Sequence, residues 1–254
     1  MERIVSASLL SQLAVAAMAL RLPWWLPQNG ALHGVLVDHQ LRLNLWVFVF
    51  LAITAQLFLL TAIWMRRRPV VGRGLAKTVA LGAISLLFVA LMVRSETMWA
   101  ARYAGGNPAA MQVEVTGVQF AWYFRYPGDD AAFGRTRPEL VDAGAGNPLG
   151  IDAADTHATD DVVTSELVLP AGREVDLRLR AQDVIHGFFV PEMRIKQNAM
   201  PGDTFHIHFT PQKPGTYAIL CSQICGLGHY RMQATLRVVS EEEFAAWLRA
   251  KEAR

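Results

Sequence analysis

The chain has 254 residues, 52% of them hydrophobic, with 24 Lys and Arg against 22 Asp and Glu. That composition excludes a disordered or collagen-like chain, and two cysteines cannot build a disulfide framework. The near-neutral total hides an asymmetry: residues 1–94 carry nine basic and two acidic groups, net +7, whereas residues 95–254 carry fifteen and twenty, net −5. One part suits a membrane and the other suits water and a charged protein partner, and no nucleic-acid partner is expected.

In chain order, residues 4–20 (IVSASLLSQLAVAAMAL) are apolar and rich in small residues. They read as a signal peptide, with a retained N-terminal helix as the alternative. His33, Asp38 and His39 read as solvated polar residues at a membrane edge and receive no role. Residues 43–65 form a run of 23 without a formal charge. As a helix it spans about 34 Å at ~1.5 Å per residue, enough to cross a bilayer. Trp46 and Trp64 sit near its ends, where indoles favour the headgroup boundary. A basic turn with Arg66, Arg67, Arg68 and Arg73 leads to a second span, residues 75–93, with Lys77 near its end. A charge at the bilayer centre costs about 2.5–3.5 kcal/mol, so Lys77 is expected to snorkel. The basic turn is expected to be cytoplasmic, which puts everything after Arg94 outside.

Past Trp99 the pattern becomes short and alternating: QVEV at 112–115, EVDLRL at 174–179 and TFHIHF at 204–209. Period two means half-buried strands, and turn signals at Pro127-Gly128, Pro170-Ala171-Gly172, Pro201-Gly202 and Pro214-Gly215 separate them. The expected architecture is an all-β domain over residues 99–240, a small antiparallel sandwich or barrel, behind a membrane hairpin over 21–98. His206 and His208 lie opposite the phenylalanines of their strand and read as outward-facing residues. Residues 127–161 lack a sustained period and read as a long insertion. Ser240 and Glu243 make a capping-box pattern ahead of Phe244, Trp247 and Leu248, so an amphipathic helix is expected over 241–254.

Both cysteines stand in CSQICGLGHYRM, which gathers Cys221, Cys225, His229 and Met232. A disulfide or an unrelated thiol pair would account for the cysteines, but neither explains His and Met at regular offsets. Thiolates, an imidazole and a thioether favour copper over zinc, magnesium or calcium. A mononuclear blue-copper centre needs one Cys, so the second thiolate points to two bridged copper ions. The best second imidazole is His186, at the end of the apolar run in AQDVIHGFFVPEM.

The two-span hairpin, DVIHGFFVPEMRIKQNAMPG and CSQICGLGHYRM together resemble subunit II of haem-copper cytochrome c oxidases over nearly the whole chain. The resemblance implies a Greek-key cupredoxin sandwich outside a bacterial-type plasma membrane. It implies a dinuclear copper-A centre with Cys221 and Cys225 bridging, His186 and His229 each on one copper, Met232 axial and Gln223 giving its backbone carbonyl. It further implies a cytochrome c donor, a haem-bearing catalytic subunit I that reduces oxygen and pumps protons, and further small subunits. The place where electrons enter maps to GVQFAWYFRYPG, on Phe120 and Trp122, with Phe120 where relatives have tryptophan. Relatives often carry Glu at the position of Gln223, and a neutral amide is a poor ligand for the magnesium ion bound there. No covalent haem-attachment motif (Cys-x-x-Cys-His) occurs, and neither span contains a histidine, so oxygen chemistry belongs to a partner subunit. The alternative function is a membrane-tethered cupredoxin acting alone, as electron shuttle or copper-delivery module.

Overall fold

A computed structural model describes residues 26–64, 73–103 and 107–252. The candidate signal peptide and Arg66–Arg68 of the basic turn lie outside the described residues. The described chain divides into a helical unit and a β unit.

The helical unit holds α1 (Gly34–Trp64) and α2 (Arg73–Tyr103), both long and apolar enough to cross a membrane. Each outruns its uncharged stretch because polar residues such as Asp38, Gln40, Arg94 and Glu96 continue the helix at one end. There Arg94 Nε donates to Gln40 Oε1 at 2.5 Å, and Gln40 Nε2 donates to Asn44 Oδ1 at 3.0 Å. Along the spans Phe50, Phe58, Leu81 and Phe88 are exposed, a surface that water would disfavour and lipid would not.

The β unit comprises two five-stranded sheets. The first has β1 (Met111–Val118), β2 (Ala121–Tyr126), β3 (Val162–Thr164), β5 (Val175–Ala181) and β8 (Phe205–Phe209), in the order β3-β2-β1-β5-β8. The second has β4 (Glu166–Pro170), β6 (His186–Val190), β7 (Ile195–Ala199), β9 (Gly215–Cys221) and β10 (Gln233–Val239), in the order β4-β10-β9-β6-β7. Alternation puts Val113, Val115, Leu177, Leu179 and Ile207 of the first sheet and Leu167, Phe188, Ile219 and Leu236 of the second into one core. Tyr126 links the sheets: its hydroxyl donates to Val168 O at 3.0 Å and accepts from Val168 N at 2.8 Å.

The antiparallel expectation needs correction, because β1 pairs with β5 and β4 with β10 in parallel. Alternation and turn residues report strands and nearby hairpins, whereas these pairs join segments far apart in sequence. The division at residue 99 also differs from the structure, since Asn29–Gly34 belong to the β unit. Ala31 is buried in its core, and Gly30 N donates to Glu192 O at 2.8 Å. The final helix, α3 (Glu241–Glu252), starts with the capping box: Ser240 N donates to Glu243 Oε2 at 3.1 Å and Glu243 N to Ser240 Oγ at 3.2 Å. Phe244 and Trp247 then pack against Tyr126.

Candidate metal centre

The candidate ligands converge because β6 and β9 are neighbours. Phe188 faces Cys221 in their register, so His186, two residues back on the same strand face, is brought toward the sulfur. The loop 222–232 leaves β9 at Cys221 and returns at Met232, pinned by Cys221 N donating to Met232 O at 3.1 Å. A single 3-10 turn, His229–Arg231, turns His229 and Met232 back toward Cys225. Ser222 N donates to Gly187 O at 2.8 Å and ties the loop beside His186.

Both cysteines are free thiols, with their sulfurs 3.8 Å apart. Around Cys225 Sγ stand His229 Nδ1 at 3.8 Å and Met232 Sδ at 3.7 Å. The Cys221 thiol donates to the Gln223 carbonyl at 3.2 Å, so that oxygen faces the sulfur pair. His186 completes a group with Cys221 and Cys225 whose ligand atoms all lie within 4.8 Å of one another. Cys225, Met232 and His186 are buried, while Cys221 and His229 are half-buried. Burial first, and the neighbouring Cys221 thiol second, push the Cys225 thiol up to about 11, so without a cation Cys225 keeps its proton. A metal ion would have to displace it.

His186 is the most informative residue. Its Nε2 meets Asp183 Oδ1 at 2.8 Å, and its Nδ1 is buried with no hydrogen-bond partner. Burial alone would raise the Asp183 pKa, but the bonds from His186 and from the backbone N–H groups of Gln119 and Val184 outweigh it and leave the carboxyl below its ordinary value. An ionised Asp183 holds the proton on Nε2 and leaves the Nδ1 lone pair free, the arrangement of a metal-binding histidine with its carboxylate support. The donor set and this orphaned nitrogen fit a soft metal.

Sequence reasoning passed over Asp183 and Gln119. Asp183 stands three residues before His186, and Gln119 directly precedes Phe120. Gln119 Nε2 donates to Cys225 O at 2.5 Å and its backbone N to Asp183 Oδ2 at 2.7 Å, so the β1–β2 turn ties both ligand segments together. Phe120 lies over the ligand loop and is part exposed. A Cβ on Gly228 would come 2.4 Å from its ring, so only glycine lets the ring settle there. Trp122 is fully buried, edge-on to His186 with ring centroids 5.8 Å apart. Of the two residues expected where electrons enter, Phe120 is at the surface and Trp122 is behind the ligands.

A two-sheet sandwich with a thiol, imidazole and thioether cluster, preceded by two membrane-length helices, defines a membrane-anchored domain with a candidate soft-metal site. Residues 111–239 match the family pattern of cytochrome c oxidase subunit II, periplasmic domain. The chain belongs to that family. It is 39% identical over 141 residues to an alternative cytochrome c oxidase subunit 2 of Bradyrhizobium diazoefficiens, covering 55% of this chain and 50% of that protein. It is 34% identical over 148 residues to cytochrome c oxidase subunit 2 of Thermostichus vulcanus, covering 58% and 36%. The chain thus spans half or less of the length of these relatives. Among solved structures, the periplasmic domain of subunit II of cytochrome oxidase from Bradyrhizobium japonicum is 28% identical with a TM-score of 0.42, covering 57% of this chain and 96% of that domain.

Proposed function

We propose that this chain is the electron-accepting subunit II of a proton-pumping haem-copper terminal oxidase. On this reading it takes electrons from a cytochrome c or similar donor at a dinuclear copper-A centre and delivers them to the haem of a catalytic subunit that reduces oxygen to water. The observation that carries the reading is the buried, partnerless Nδ1 of His186 beside two unbonded sulfurs 3.8 Å apart. Cys221, Cys225, His186, His229 and Met232, with the Gln223 carbonyl, would hold the two coppers. When bound, such a pair shares one electron over two ions, so a change of oxidation state moves the surrounding atoms little.

The chain's own residues do the rest. Asp183 and Gln119 fix the ligands before any electron arrives, which keeps reorganisation small. Trp122 and Phe188 wall the site from the core side and exclude water. Phe120 covers the ligand loop on the outer side, and Ile224, Leu227 and Tyr230 stand open around it, with Leu227 98% exposed. An apolar rim of this kind suits a protein partner close to the metal. The helices anchor the chain in a membrane, and the outer location of the sandwich agrees with its family.

The test is electron paramagnetic resonance of the copper-loaded full chain in detergent. One unpaired electron split by two equivalent copper nuclei, with two coppers per chain, is expected, and Cys225→Ser should abolish the pattern. A covalent cystine between positions 221 and 225 in metal-replete native protein would overturn the reading. Purification without a large haem-bearing subunit would favour the solitary tethered cupredoxin.

A further inference from the structure

The outer face of the first sheet carries a second set of metal-type ligands, unconnected with the sulfur site. Asp176 on β5 pairs in register with His208 on β8, and His206 follows two residues earlier on the same face. His206 Nδ1 lies 2.9 Å from Asp176 Oδ2, and His208 Nδ1 lies 3.7 Å from Asp176 Oδ1. The three ligand atoms all fall within 4.8 Å of one another. Bonds of about 2.0–2.2 Å to one tetrahedral ion hold ligand atoms about 3.4 Å apart, so a small adjustment of side chains would seat an ion here. The two imidazole rings are stacked, 6.2 Å between centroids and 16° apart in plane, and therefore face the carboxylate together.

We propose that Asp176, His206 and His208 form a second metal site, which takes a borderline divalent transition ion such as Zn2+ or Cu2+. Two imidazoles and a carboxylate suit such ions better than Mg2+ or Ca2+, which prefer all-oxygen sites. The carboxylate is nearly buried and the His208 ring mostly so, which fixes two ligands, while the His206 side chain is 45% exposed and gives the ion a way in from solvent. Three protein ligands leave a position for water, so the site is open rather than closed. Among the described residues β8 is an edge strand, with no further strand paired beyond it. Arg178 faces His206 across the strands. Its Nε donates to Gln112 Oε1 at 2.9 Å and its guanidinium lies over the Phe133 ring, which draws its charge away from the carboxylate.

The test uses the full chain in detergent carrying Cys221→Ser and Cys225→Ser, so that thiols cannot compete. Equilibrium dialysis against Zn2+ is expected to show one equivalent more than in the same protein with His206→Gln and His208→Gln added. Asp176→Asn should weaken that equivalent by at least about tenfold, since loss of even an outer-shell partner costs about 10–100-fold in metal affinity. Equal zinc stoichiometry and affinity with and without the two histidines would overturn the proposal. If the histidine variants unfold, the unsubstituted histidines are followed by NMR: the imidazole signals of His206 and His208 should move together as one equivalent of Zn2+ is added, and unmoved signals refute the site.

Discussion

At the level of single residues, the candidate metal centre depends on what is small as much as on what can bind. A Cβ at Gly117 would stand 2.9 Å from His186 Cδ2 and 3.0 Å from Trp122 Cζ3, so this glycine opens the slot in which the imidazole ring lies. Gly117→Ala is expected to push His186 off its Asp183 bond and to cost about 1–3 kcal/mol by overpacking. Urea unfolding would show the loss of stability. A chelator competition would show weaker copper retention, whereas retention equal to that of the unsubstituted protein would mean that the slot has slack. None of this is visible in the sequence, where Gly117 is one glycine among 19.

At the level of elements, the 127–161 insertion is better ordered than its composition promises. It contains two short 3-10 turns and two isolated bridges, and it is held to the outer face of the first sheet by Arg125. This buried guanidinium pairs with Glu114 at 3.2 Å and with Asp161, and donates to the Gly134 carbonyl. Arg125→Met would leave Asp161 without its cation and Glu114 with Arg180 alone, and is expected to destabilise the β unit by about 3–5 kcal/mol. Chemical denaturation measures this, and limited proteolysis should cut first within 127–161. The insertion also has a pH-sensitive staple, His157 Nδ1 to Asp130 Oδ2 at 2.5 Å. The bond to His157 lowers the Asp130 pKa below 3.8, and the bond to Asp130 raises the His157 pKa above 6.5. The staple is therefore complete between those two values. It is lost as pH rises through the raised histidine pKa, and as pH falls through the depressed aspartate pKa. Amide exchange near 130 and 157, corrected for the intrinsic pH dependence, should be slowest inside that window, and His157→Gln should flatten the profile.

At the level of the whole molecule, charge is divided between the parts: net +7 over residues 1–94 and net −5 over residues 95–254. Under the proposed function, a negative outer half would steer a basic donor by long-range attraction, and at 0.15 M salt the screening length is about 8 Å. The association rate with a basic cytochrome c should therefore fall as salt rises, while the electron-transfer rate within the complex changes little. Stopped-flow kinetics across ionic strength would separate the two, and a rate that climbs with salt would count against steering.

The amino-acid sequence alone determined the two membrane-length helices, the capping box at Ser240, the alternating strands and the grouping of Cys221, Cys225, His229 and Met232 as candidate ligands. Each depends on residues close together in the chain, where period, spacing and side-chain chemistry act directly. Tertiary structure decided the rest. It brought His186 across from β6, tied Gln119 to both ligand segments, buried Trp122 behind them, moved Asn29–Gly34 into the β unit and set Asp176 beside His206 and His208. These juxtapositions come from sheet order and from pairings between strands distant in the chain, which local patterns do not encode.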